Sequence, residues 1–198
     1  GSKSTAIGRG ALKTQDFTTA TDAHNTAVGY SAGELVTTGT NNTLVGSLAG
    51  DNINTSSSNT AVGYAALSAE NSHGSNTAIG FGTLTVQDAG AVAYNVAVGH
   101  NAGTTISTGT RNTFVGSLAG DGTDDGVDNT AMGYGSLSGN SGGYNTSIGI
   151  HTLSVCTGAS NTCVGHAAGL AVTTGNNNLF LGNNSGRTGS PGGNMTND

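Results

Sequence analysis

The chain has 198 residues, a mass of 19.2 kDa and a formal net charge of −6. It holds 35 glycines, one proline and no tryptophan, and only 8% of its residues are charged, about a third of the usual share. So few large apolar residues exclude an ordinary globular core. The acidic balance excludes the basic stripe that nucleic acid requires, and no apolar run approaches the roughly 18 residues of a membrane span.

Residues 1–3 read as a cloning remnant, and we expect the chain to be part of a longer protein. An array then begins with Ser4-Thr5-Ala6-Ile7-Gly8. Fuller copies follow at Asn25, Asn42, Asn59, Asn76, Asn95, Asn112, Asn129, Asn145, Asn161 and Asn178, which makes eleven in all. The first full copy is Asn25-Thr26-Ala27-Val28-Gly29, and most copies stand 16 or 17 residues apart. A short fixed period of this kind predicts a solenoid. The expected fold is all-β: a parallel β-solenoid or β-roll of about eleven coils of 16–21 residues. We expect the repeat domain to span residues 4–186 and residues 187–198 to form a flexible tail or linker.

Let the Asn of each repeat be position one. Position four is apolar in every copy, from Ile7 through Val28 and Met132 to Leu181. Position two is Thr in nine copies but Val96 and Leu179 in the others. In a strand these two positions share a face. Because Val and Leu replace Thr, we expect that face to be the interior of the coil. Position three then points outward. It carries Ala27, Leu44, Ala61, Ala78, Ala97, Phe114, Ala131 and Phe180 without a single charge. An outward apolar rank needs a partner, so we expect a homotrimer with these eight residues in the central contact. Position five is Gly throughout and marks a corner or close approach. The Asn at position one suits turn geometry or a stacked amide ladder.

After each Gly comes a short segment whose last residue, at position nine, is Gly twice and then Leu twice: Gly33, Gly50, Leu67, Leu84, then Gly103, Gly120, Leu137, Leu153. Residues 25–94 therefore match 95–160 coil for coil, as expected of a duplicated four-coil block. The remainder of each repeat reads as variable surface loop.

The repeat, Asn-Thr-Ala-Val/Ile-Gly-Tyr-x-Ala-Gly/Leu, resembles the Asn/Gly-rich arrays of phage and bacterial tail-fibre and adhesin-like proteins. Those arrays often stand upstream of an endosialidase-type intramolecular chaperone. It is also similar to the head repeats of YadA-like trimeric autotransporter adhesins, although those repeats are shorter. The resemblance covers residues 4–186. It implies a structural or adhesive fibre segment on a virion or cell surface, presenting loops to a host glycan or receptor. No catalytic residue carries over, because the chaperone with its self-cleaving Ser does not lie in these residues.

Chemistry is sparse. Enzymes need convergent acids, bases or nucleophiles, and here the carboxylates are scattered. We expect neither an enzyme nor a cofactor. Only Asp121, Asp124, Asp125 and Asp128 cluster. They are the candidates for a hard cation, but they lack the Glu and spacing of an EF-hand, so no metal is expected. Tyr30, His100 and His166 share position six in the first coil of each block. They are the candidates for a sugar or partner contact. His24, His73 and His151 lie in loops or turns without matched partners. Cys156 and Cys163 read as two small thiols, with a disulfide left open. An ice-binding solenoid is the alternative function. It is disfavoured here because the Thr rank of position two is expected indoors.

Overall fold

The computed structural model describes residues 3–17 and 21–187. The proposed tail beyond Arg187 lies outside them. Every described element is a three-residue strand, and the strands coincide with positions two to four of the eleven repeats. They are β1 (Thr5–Ile7), β2 (Thr26–Val28), β3 (Thr43–Val45), β4 (Thr60–Val62), β5 (Thr77–Ile79) and β6 (Val96–Val98). The series continues with β7 (Thr113–Val115), β8 (Thr130–Met132), β9 (Thr146–Ile148), β10 (Thr162–Val164) and β11 (Leu179–Leu181).

The eleven strands form one parallel sheet in strict sequence order. The register is that of the repeat: Thr26 faces Thr43, Ala27 faces Leu44 and Val28 faces Val45. This is a β-solenoid of about ten turns. At about 4.8 Å per rung the array is on the order of 50 Å long. Because each strand is so short, most backbone pairing lies outside the sheet. Gly33 N donates to Ala49 O at 2.9 Å and Gly50 N to Ala66 O at 2.9 Å, and the same link recurs at position nine along the rod. Buried backbone groups are thus satisfied by the neighbouring coil.

The interior reverses the expectation for the strand. Position three points inward: Ala27, Leu44, Ala61, Ala78, Ala97, Phe114 and Ala131 are fully buried within the single chain, and Phe180 is 5% exposed. The eight residues expected at a trimer contact are therefore core residues. Positions two and four face outward, as the two-residue alternation then requires. Val96 and Leu179 belong to a solvent-facing rank, and Leu179 is 59% exposed. Substitution of Thr by Val or Leu did not mark an inside.

The interior also explains the four-coil period. Positions three and nine reach the same narrow space. Where position nine is Leu, position three is small: Ala61 with Leu67, Ala78 with Leu84, Ala131 with Leu137 and Ser147 with Leu153. Where position three is large, position nine is Gly: Leu44 with Gly50, Phe114 with Gly120 and Phe180 with Gly186. A Cβ on Gly50 would stand 2.6 Å from Leu44 Cδ2. Volume is conserved across the pair, as close packing demands. The leucines adopt left-handed backbone to fit, with φ of 53° at Leu67 and 49° at Leu153.

The Asn of position one forms a buried ladder. Asn42 N donates to Asn25 Oδ1 at 2.9 Å, Asn59 N to Asn42 Oδ1 at 3.0 Å, and Asn112 N to Asn95 Oδ1 at 2.8 Å. At Asn25, Asn42, Asn95, Asn112, Asn145 and Asn161 the amide nitrogen donates to a loop carbonyl, as in Asn112 Nδ2 to Gly126 O at 2.8 Å. Such an Asn joins its strand, the next coil and its own loop. The residue before each Asn has positive φ in every described coil, for example Asn41 at 59° and Tyr94 at 54°.

Candidate functional site

Three surfaces hold the residues that bear on function. The first is the outer face of the sheet. Positions two and four place a rank of Thr beside a rank of Val, Ile, Met and Leu, with no charged residue in either. The apolar rank is open to solvent at Ile79 (38%) and Met132 (42%). Parallel in-register pairing sets like beside like from β1 to β11.

The second surface is the edge made by position six, just past the Gly corner. The Gly there is required by a close approach: a Cβ on Gly63 would stand 2.3 Å from Gly80 O. The coils are therefore in backbone contact at this corner, and the following side chains stack. Tyr64 lies on Phe81 and Phe81 on His100, each at 5.2 Å between centroids and nearly parallel. The structure thus joins His100 to two residues not singled out by the sequence. It does not bring Tyr30, His100 and His166 together, because they stand four coils apart. Tyr30 instead lies under Arg9, 5.8 Å from its guanidinium carbon, within cation–π range. It lines a cleft of about 400 Å³ with Arg9, Lys13, Ser31 and Glu34. Lys13 Nζ pairs with Glu34 Oε1 at 2.9 Å. The Ser31 hydroxyl and the Lys13 ammonium hold the Glu34 carboxyl below its ordinary value. His166 Nδ1 lies 3.1 Å from Asn183 Oδ1.

The third surface is the loop side. Here three of the four acidic candidates have separate surroundings, and the fourth, Asp125, is exposed. Asp128 forms a bidentate pair with Arg111, with Nε and Nη2 each 2.7 Å from a carboxylate oxygen. That pairing holds its carboxyl below the ordinary value. Asp124 accepts a hydrogen bond from the Ser107 hydroxyl. Asp121 is partly buried, with Oδ1 unpartnered, and burial raises its carboxyl pKa. Asp51, its counterpart one block earlier, behaves the same way.

Among the described residues, metal-ligating side chains converge instead at Glu70, His73 and Asp88. Glu70 occupies position twelve, where other coils bury Val36, Ile53 and Ile106. It is fully buried itself. Burial pushes its carboxyl up to about 7, partly offset by hydrogen bonds from His73 N and Asn76. The sequence showed Glu70 only as one scattered carboxylate and His73 as a loop histidine. Counting positions past the strand and into the loop aligns Glu70 with the apolar rank and makes it visible.

Cys156 and Cys163 are both free and buried. Burial raises both thiols, Cys163 to about 12. Neither is a candidate nucleophile, since the thiolate is the reactive form.

No described helix is long and apolar enough to cross a membrane. Compared with protein-family models, curated proteins and solved structures, the chain matches none.

Proposed function

We propose that this chain is a rod segment of a homotrimeric surface fibre, of tail-fibre or adhesin type, that presents its edges and loops to a host glycan or receptor. The observation that carries this reading is the outer sheet face. Eleven rungs expose an uninterrupted, uncharged double rank of Thr and apolar side chains. Soluble monomers rarely leave so long an apolar strip uncovered. Cyclic association around it would bury the strip and leave both ends of the rod free. Three copies rather than two follows the resemblance to trimeric fibres and heads. The contact moves to positions two and four, since position three is core.

The rest of the surface fits a passive, load-bearing role at a virion or cell exterior. The coils are tied by backbone ladders and by the buried Asn ladder, which stiffen a rod. The exposed Tyr64–Phe81–His100 stack and the cleft beside Tyr30 offer aromatic edges and polar groups to a sugar. No catalytic step enters this reading.

Gel filtration with light scattering tests it. The wild type should run at three times 19.2 kDa. A Val62→Lys, Val115→Lys double variant should run as a monomer with its strand circular dichroism intact. A wild type that stays monomeric at high concentration would remove the trimer.

One observation favours a second reading. The Thr rank of position two faces outward at rung spacing, which lifts the objection to an ice-binding face. A thermal-hysteresis assay separates the two readings, because a face covered in a trimer is not free to meet ice.

A further inference from the structure

We infer that Glu70, His73 and Asp88 form a binding site for a divalent transition-metal ion of the zinc class, stapling the fourth coil to the fifth. One ligand atom from each residue lies within 4.8 Å of the other two. Ligands about 2.0–2.2 Å from a tetrahedral zinc stand roughly 3.4 Å apart. Side-chain adjustments of up to about 1.4 Å, the difference between 4.8 Å and that spacing, close the gap.

Three observations separate this cluster from a chance meeting of polar groups. First, His73 Nδ1 is shut off from solvent and has no hydrogen-bond partner. Buried polar atoms rarely stay unpaired without a reason. Second, Glu70 is fully buried at a core position, yet its carboxylate is thinly held. Oε1 accepts from His73 N at 3.2 Å and Oε2 from Asn76 Nδ2 at 3.2 Å. Both bonds are long for a charged acceptor, and further lone pairs remain free. Third, one member of the group, Asp88, is exposed to solvent. His73 lines an open cleft of about 240 Å³ with Thr55, Ser57, Ser72 and Val92. The exposed Asp88 side leaves room for water as a fourth ligand, as in an open site.

The ligand types select the metal. Two carboxylates with one imidazole suit zinc and its neighbours, whereas calcium and magnesium prefer oxygen alone. The chain also supplies its own comparison. The matching loops one block later, residues 138–144 and 154–160, contain no carboxylate and no imidazole. The site therefore belongs to one block, not to the repeat as such, and is independent of the oligomeric state.

The test is zinc chloride titrated calorimetrically into the full chain after chelator dialysis, with elemental analysis of the product. One zinc per chain is expected, and Asp88→Asn and His73→Ala should each weaken binding at least tenfold. Asp88 is exposed, so Asp88→Asn keeps the test valid should His73→Ala misfold; circular dichroism checks both. His24→Ala, on a remote loop, should bind as the wild type does. The inference is overturned if the wild type takes up no zinc, if both variants bind it unchanged, or if calcium binds in its place.

Discussion

Phe114 and Gly120 share one space: a Cβ on Gly120 would stand 2.6 Å from the Phe114 ring. The same coil therefore cannot hold both a large position three and a side chain at position nine. Phe114→Ala should cost about 3–5 kcal/mol by opening a cavity. Gly120→Leu should cost at least about 1–3 kcal/mol by overpacking. The double variant recreates the Ala131–Leu137 pairing of the next coil and should recover much of both losses. Urea unfolding of the four proteins measures the coupling. Additive losses would refute the shared space.

That pairing also shows what was legible in the sequence. The eleven strands sit where the Asn-Thr-Ala-Val-Gly copies put them, because a repeat aligns itself. The four-coil block was equally visible. What the strand alone did not reveal was its inner face. With Thr or Val at two, Ala or Phe at three and Val at four, both sides of a three-residue strand are apolar. Alternation groups two with four but does not say which side is in. The deciding signal lay outside the strand, in the inverse sizes of positions three and nine: Leu44 with Gly50, Ala61 with Leu67. Reading the wrong face sent Ala27 and Phe114 to a trimer contact and the Thr rank indoors. Glu70 was missed for a related reason. Position twelve lies in a stretch read as loop, yet Val36, Ile53 and Ile106 show it to be core.

The Gly corner predicts a sharp contrast between two glycines. Gly63 has φ +133° and its missing Cβ would meet Gly80 O at 2.3 Å, whereas Gly90 has φ +65° and nothing within 4 Å. Gly63→Ala combines backbone strain with a backbone clash and should exceed about 3 kcal/mol. Gly90→Ala carries only the left-handed penalty of about 1–2 kcal/mol. Thermal melts of the two variants provide the comparison. Equal shifts would mean the coils are not held in contact at the corner.

The Asn ladder predicts a loss that isosteric replacement does not rescue. Asn95 Oδ1 accepts from Asn112 N at 2.8 Å, while Asn95 Nδ2 donates to Gly109 O at 2.8 Å. Asn95→Ala strips a buried donor and a buried acceptor of their partners, at about 1–3 kcal/mol each. Asn95→Asp keeps the acceptor but sets a carboxylate against the Gly109 carbonyl, so it should also destabilise at neutral pH. Hydrogen exchange at the Asn112 amide should speed up in Asn95→Ala and stay slow in Asn95→Asp.

Glu70 predicts the pH dependence of the chelator-treated protein. Its carboxyl rises from an ordinary 4.5 to about 7 in the folded state, chiefly through burial. Between those values the folded chain binds more protons than the unfolded one, so stability falls as pH rises. The stability associated with the neutral acid is fully present below about pH 4.5 and is lost as pH rises through about 7. The span of the shift corresponds to roughly 3 kcal/mol. Asp51 and Asp121, raised by burial, run the same way, whereas two carboxylates run the opposite way: Asp128 is held low by Arg111 and Glu34 by Ser31 and Lys13. The lowered pair loses stability as pH falls, and both sets would obscure the Glu70 slope in a simple melt. The difference between wild type and Glu70→Gln isolates it. Relative to that variant, the wild type should lose stability steadily from pH 4.5 to pH 7.5 in urea titrations with chelator present. A difference that stays flat across this range would mean that Glu70 is solvated and ionised in the folded chain.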